Sequence, residues 1–328
     1  MYGSKKKVNM CILNILREYT DKDHALTQKG IIEKLERDYS ITCDRRTVKS
    51  YIDDLIDMGW EIDYKKGYKL VKREFDDAEL RILIDSILFS QIIPTKRAKR
   101  LINKFKDFGS NYFKKKIKHI CNLPKLNHTI NEQVMESFDV ILDAIATEKK
   151  IQCVYNEVGI DFKLHPKNDG SPYTINPYQM VENNGKFYLV GNMDQFNYVI
   201  HLRIDKMTDV KLLDERRKDS KELEEFDANG FYLPQYMAEH ISMFSGKSDW
   251  VEIKTSTKMM TTLVDWFGKE FTIEQKDKDY VVIRVKCNLK AVKYWAIQYG
   301  PKVELLKPEK LRKEIKIEID RMWRKYKD

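Results

Sequence analysis

At Gly59 the hydrophobic period of this chain changes, and that change decides what the first seventy residues can build. Before it, apolar residues recur at helical spacing; after it, they alternate with period two. Val8, Ile12, Ile15, Leu16 and Tyr19 form one helical stripe. Thr27 is placed to cap a second short helix, with Leu26 and Ile31 spaced as a hydrophobic staple and Ile31, Ile32 and Leu35 as its buried face. The device repeats with Cys43, the cap Asp44 and Val48. A third helix follows, with Val48, Ile52, Leu55 and Ile56 inward and Gly59 at its end. Trp60, Ile62 and Tyr64 then share one face of a strand, and Tyr68 and Leu70 one face of the next, across the turn Lys65-Lys66-Gly67.

The outward face of the third helix carries Arg45, Arg46, Lys49 and Ser50 in its first two turns and Asp53, Asp54 and Asp57 toward its far end. A recognition helix enters the major groove by its N-terminal residues, so cations belong there. The helix macrodipole alone prefers the reverse distribution, so the placement costs stability and hints at function. Three helices, a hairpin and this charge layout resemble the winged helix-turn-helix of the DeoR-like regulators, on the stretch Arg46-Thr47-Val48 through Ile52 and Leu55. Ser50-Tyr51 stands where many relatives carry Arg-Asp, which bears on the base contacts. The resemblance implies DNA contacts from Thr27, Gln28, Arg45, Arg46, Thr47, Lys49 and Ser50, and from Lys65 and Lys66 at the wing tip. A winged helix used only for protein contacts is the structural alternative.

The 328 residues suggest two or three domains, and 42% hydrophobic residues suffice for packed cores. The net charge of +9 favours polyanionic partners, nucleic acid or an acidic membrane surface. Residues 95–120 hold ten Lys/Arg against the single acid Asp107, a net charge as large as that of the whole chain. A field this concentrated suits phosphates; a solvated helix face is the plain alternative. The five cysteines, Cys11, Cys43, Cys121, Cys153 and Cys287, are odd in number and contain no Cys-x-x-Cys pair, so neither a disulfide framework nor a structural zinc is expected. Lys5–Lys7 and Val8–Leu16 imitate a signal peptide only superficially, and no apolar run reaches the length of a membrane span. A cytoplasmic protein without cofactor or membrane partner is expected.

Asp76 and Glu79 read as a capping pair for a helix whose stripe is Leu80, Leu83, Ile84, Ile87 and Leu88, ending before Pro94. The stripe needs a partner, inside the monomer or on a second copy; a homodimer is favoured because helix-turn-helix proteins read paired half-sites. One or two basic helices follow. A helix over 132–148 precedes strand-like segments Ile151–Tyr155, Phe162–Leu164, Tyr178–Glu182, Phe187–Gly191 and Val199–Arg203, with Asn184-Gly185 as a hairpin signal. Such short strands suggest a small barrel.

The run Asn176 to Gly191, with Phe187-Tyr188-Leu189 at the place of Trp-Tyr-Leu, is similar to the signature of WYL domains. His201-Leu202-Arg203-Ile204-Asp205-Lys206-Met207 resembles their second motif, with Lys206 in place of an Arg. The resemblance implies an Sm-like, SH3-type barrel that binds nucleic-acid or nucleotide signals. Tyr155, Tyr178, Tyr188, His201, Arg203 and Lys206 are the candidate ligand contacts, since aromatic faces stack on bases and cations hold phosphates. For each aromatic, core packing is the competing role; for Arg203 it is a salt bridge such as one to Asp205. Residues 216–248 read as a connecting arm. From Val251 the pattern is strand, helix, paired strands, helix, strand, helix, and Val303-Glu304-Leu305-Leu306-Lys307-Pro308 with Leu311-Arg312 resembles the C-terminal extension of WYL proteins, a ferredoxin-like α/β sandwich.

The expected chain is thus a multidomain α+β protein: winged helix-turn-helix (1–73), basic helical linker (74–130), WYL barrel (131–215), arm (216–248) and C-terminal domain (249–328). It lacks the phosphate-loop, nucleophile-elbow, zinc-protease and dinucleotide motifs, so no enzyme is expected. A homodimeric transcription repressor on a duplex operator, sensing a nucleic-acid or nucleotide effector, is the reading. A non-catalytic nucleic-acid-binding accessory protein is the alternative.

Overall fold

The computed structural model describes residues 7–118, 128–223, 233–246 and 248–327. Cys121, and the acidic and aromatic residues of the arm between Glu224 and Tyr232, lie outside the described residues. The chain divides into two compact units, residues 1–129 and 130–328.

In the first unit, α1 (Val8–Tyr19), α2 (Gln28–Tyr39) and α3 (Arg45–Asp57) are followed by the two-residue strands β1 (Ile62–Asp63) and β2 (Lys69–Leu70), paired antiparallel. Both expected caps form: Thr27 accepts the Gly30 N–H and Asp44 the Thr47 N–H. Gly59 leaves α3 at φ +92°, a conformation that suits glycine. Ile12, Leu16, Ile31, Leu35, Val48, Ile52 and Leu55 make the core of this head. Arg73, just past β2, donates to the carbonyls of Leu16, Arg17 and Thr20, capping the otherwise unsatisfied end of α1 with a cation.

Helix α4 (Asp77–Phe89) opens on a complete capping box between Asp76 and Glu79. Helices α5 (Thr95–Phe108) and α6 (Asn111–Lys116) take up the basic stretch. The apolar stripe of α4 finds its partner within the chain: Leu80 and Ile84 are buried against Ile102, Phe113 and Ile117, with Ile87 and Leu88 beside them. A second copy is therefore not needed to bury Leu80 and Ile84, because Ile102 of α5 and Phe113 of α6 already pack on them.

The second unit begins with α7 (Val134–Ala146) and six strands, β3 (Lys149–Val158), β4 (Leu164–Pro166), β5 (Tyr173–Asn183), β6 (Lys186–Asn192), β7 (Ile200–Arg203) and β8 (Met207–Arg216). They form one antiparallel sheet in the order β4-β3-β5-β6-β7, with β8 on β3. Strand β3 pairs with β5 through Ile151–Cys153 and with β4 through Asn156–Val158, so it bends between two half-sheets and the sheet curls into a half-barrel. Asn184 and Gly185, both at positive φ, make the hairpin turn between β5 and β6. Two expectations shift. Phe162 is not in a strand but at φ +58° in the turn before β4, and it is exposed. Strand β8 was not anticipated: half of its residues are charged and most are exposed, so it lacks a period-two apolar signal.

Helix α8 (Leu233–Glu239) leads to β9 (Ser248–Ser256), α9 (Met260–Phe267), β10 (Phe271–Lys276), β11 (Tyr280–Asn288), α10 (Leu289–Gln298), β12 (Val303–Lys307) and α11 (Glu309–Lys325). The four strands pair antiparallel in the order β10-β11-β9-β12. Alternate residues Val281, Ile283, Val285 and Cys287 meet Leu263, Phe267, Val292 and Trp295 of the covering helices.

Candidate nucleic-acid interface and the Arg203 turn

The head presents its cations at the start of α3. Arg45, Arg46, Lys49 and Ser50 are exposed and Thr47 is half-buried. The first turn holds no acid, and none of the three cations forms an ion pair with a described residue. Asp53, Asp54 and Asp57 are exposed at the far end. The Thr47 N–H holds the carboxyl of the cap Asp44 below the usual carboxylate range, with Arg46 adding to it, so this acid stays charged while turned to the backbone.

The hairpin is tied to the start of α2. Leu26 and Tyr68 exchange two backbone hydrogen bonds, 2.9 and 2.7 Å, and Gln28 Nε2 donates to the Tyr68 hydroxyl at 3.1 Å. Gly67 turns at φ +101°, where a Cβ would stand 3.0 Å from the Leu26 carbonyl oxygen. The Lys65 N–H donates to Asp63, and the side chains of Lys65 and Lys66 are exposed at the tip. Of the nine residues read from the sequence as DNA contacts, Thr27 and Gln28 thus spend their polar groups on the cap and the hairpin. The exposed cations remain uncommitted.

In the second unit, four of the six candidate ligand residues come together. Arg203 lies directly across the sheet from Tyr188, and its backbone N–H donates to the Tyr155 hydroxyl at 3.2 Å. Its guanidinium is bidentate on Asp205, with Nε 2.9 Å from Oδ1 and Nη2 on the other oxygen. That carboxylate raises the pKa of the guanidinium, and burial pushes the Tyr155 phenol up to about 12. Lys206 is half-buried at the end of the same 3-10 turn, Ile204–Lys206. Lys186, which sequence reasoning did not single out, joins the group: burial lowers its pKa, and the nearby Arg203 adds to the shift. Of these cations, Arg203 is the one that holds the Asp205 carboxylate.

The turn is held by two buried asparagines that the sequence reading also missed. Asn131 Nδ2 donates to the carbonyls of Asp205 and Met207, and Asn156 Nδ2 to the carbonyl of Lys206 and the hydroxyl of Thr208. The other two candidates sit apart. Tyr178 is buried, donates to the Lys218 carbonyl at 3.1 Å and lies under Arg217. His201 packs against His240, and its Nε2 shares a hydrogen bond with the Tyr236 hydroxyl at 2.6 Å; burial drives its pKa down to about 3, so the ring is neutral.

By topology the first part of this unit is a small curled antiparallel β-domain behind one helix. Residues 136–212 match the model of the WYL domain family, and the segment from α7 into β8 is a WYL domain. Among solved structures, proteasome accessory factor B/C (PafBC) of Arthrobacter aurescens aligns with 100% of this chain at 13% identity and a TM-score of 0.30. The chain spans 50% of the length of that protein. A CRISPR Cas-related protein aligns with 99% of this chain, over 86% of its own length, at 14% identity and a TM-score of 0.36. No curated protein matches the chain. Among the described residues no group of three or more His, Cys, Asp or Glu is placed to hold a metal ion, and no helix is long and apolar enough to cross a membrane.

Proposed function

We propose that this chain is a transcription regulator that binds duplex DNA through its first unit and senses an anionic nucleic-acid or nucleotide signal through its WYL domain. The observation that carries the reading is the cluster of exposed, unpaired cations Arg45, Arg46 and Lys49 at the leading end of α3, with its acids at the other end. Read with the short hairpin behind it, the head is a winged helix-turn-helix, α3 its recognition helix and Lys65-Lys66 the tip of its wing. The curled sheet is read as an Sm-like, SH3-type barrel. The β-α-β-β-α-β order of the C-terminal part supports a ferredoxin-like sandwich. The chain acts without catalysis, as a cytoplasmic homodimer on a pseudo-palindromic operator, and represses.

The effector enters at Arg203, where Tyr188 and Tyr155 offer aromatic surface and Lys186 and Lys206 add charge. An anion competes with Asp205 for the guanidinium, and this exchange of partners is the means by which binding favours one arrangement of the protein over another. Fragments selected from random duplexes supply the operator. Changing Arg45, Arg46 and Lys49 together to Glu abolishes operator binding, whereas Arg203→Ala keeps it and loses the effector response. Survival of operator binding in the charge-reversed protein refutes the reading in favour of an accessory role.

A further inference from the structure

The basic stretch after the connector resolves into an arrangement that the α3 reading leaves unused. On α5, Lys96, Arg97, Lys99, Arg100 and Lys104 are all exposed, while Ala98 and Ile102 on the opposite side are buried. Helical geometry places the five on one outward face about 12 Å long. None of them forms an ion pair with a described residue, and the helix has no acid in its first turn and no side-chain cap on its first N–H groups. The one acid of α5, Asp107, is taken by Lys114.

The other charged helices interleave acids with their cations. On α11, Arg312 pairs with Glu304, Lys313 with Glu309 and Arg321 with Glu318, while Lys310, Lys316, Arg324 and Lys325 stay outside these pairs. On α4, Arg81 pairs with Asp85. Cations left together at a helix N-terminus repel one another and oppose the macrodipole. We infer that the outward face of α5 is a second, sequence-independent phosphate-binding surface that grips the backbone of duplex DNA. The inference rests on the DNA-binding reading of the first unit and extends its contact beyond α3.

A duplex fits better than the other polyanions. A helix that lies in a membrane surface inserts an apolar face, and the apolar face of α5 is already buried against α4. A protein partner needs an anchoring aromatic or aliphatic side chain, and between Lys96 and Lys104 no apolar residue is exposed. Charge without anchors suits a backbone of evenly spaced phosphates.

The test uses the full chain and the variant in which Lys96, Arg97, Lys99, Arg100 and Lys104 become Gln. Both are titrated onto a short duplex of random sequence by fluorescence anisotropy over a salt series. Loss of three to five phosphate contacts makes the log–log salt slope shallower by about 3 to 4.5 in the variant. If the variant does not fold, Lys96→Gln with Arg100→Gln is used, with an expected change of about 2. Wild-type duplex binding with an unchanged slope in the variant overturns the inference and leaves the α3 reading intact. No duplex binding by the wild type overturns both. A variant that keeps its duplex slope but no longer binds phosphatidylserine vesicles overturns it in favour of a membrane surface.

Discussion

Replacing Arg45, Arg46 and Lys49 by Ala moves stability and DNA affinity in opposite directions. Arg45 and Arg46 occupy the first two positions of α3, where a cation opposes the macrodipole at about 0.3–1 kcal/mol each at low ionic strength. Lys49 lies one turn further in, where that effect has largely decayed. None of the three has a carboxylate partner to lose, and Ala adds a few tenths of a kcal/mol of helix propensity per site. The triple variant is therefore about 1 kcal/mol more stable than the wild type in urea unfolding at low salt. The gain shrinks toward the propensity part at about 1 M salt, where the screening length is about 3 Å. The same variant binds the selected operator with a log–log salt slope shallower by about 2.7, one neutralised phosphate per lost cation. Loss of stability would mean that the cations hold the fold and that the functional argument is wrong. A stability gain with an unchanged DNA slope would leave their placement unexplained by DNA.

Other outcomes follow from the packing. Asn156→Ala removes the amide that holds Lys206 and Thr208 and leaves a part-buried carbonyl without that donor, costing about 1–3 kcal/mol in urea unfolding; a cost below about 0.5 kcal/mol means that the turn is held elsewhere. The folded pKa of His201 is depressed, so its contribution to stability is full above the ordinary histidine value and is lost as pH falls from there toward about 3. Unfolding midpoints accordingly drop between about pH 6.5 and pH 4.5, by at most about 1.4 kcal/mol per pH unit from this group, and His201→Gln flattens the decline; an equal decline in both proteins contradicts the burial argument. Leu80→Ala opens a cavity inside the first unit and costs about 2–5 kcal/mol at every protein concentration, whereas a cost that vanishes at high concentration would place Leu80 in a dimer contact.

The parts of this fold that can be read from the sequence are those settled by near neighbours. Thr27, Asp44 and the Asp76–Glu79 pair each satisfy backbone groups two or three residues away, and all form the caps that their spacing predicts. The Asn184-Gly185 turn needs only its own φ angles. What could not be read depends on partners distant along the chain. The Asn131 and Asn156 clamps reach across 74 and 50 residues to a turn whose sequence gives no sign of them. The neutral state of His201 comes from its burial, with His240, 39 residues on, adding to it. The stripe on α4 announces burial but not what covers it. At Arg203 the sequence left a ligand contact and a salt bridge with Asp205 side by side, and the structure shows the salt bridge in place.

The way the hairpin is fastened has a practical meaning. Leu26, Gln28, Tyr68 and the crowded Gly67 fasten the hairpin to the entrance of α2. The side chains of Lys65 and Lys66, by contrast, are exposed. The head is a fixed mount with exchangeable prongs: the exposed side chains of the tip and of α3 can be swapped without touching a packed contact, while any side chain at position 67 would press on the Leu26 carbonyl.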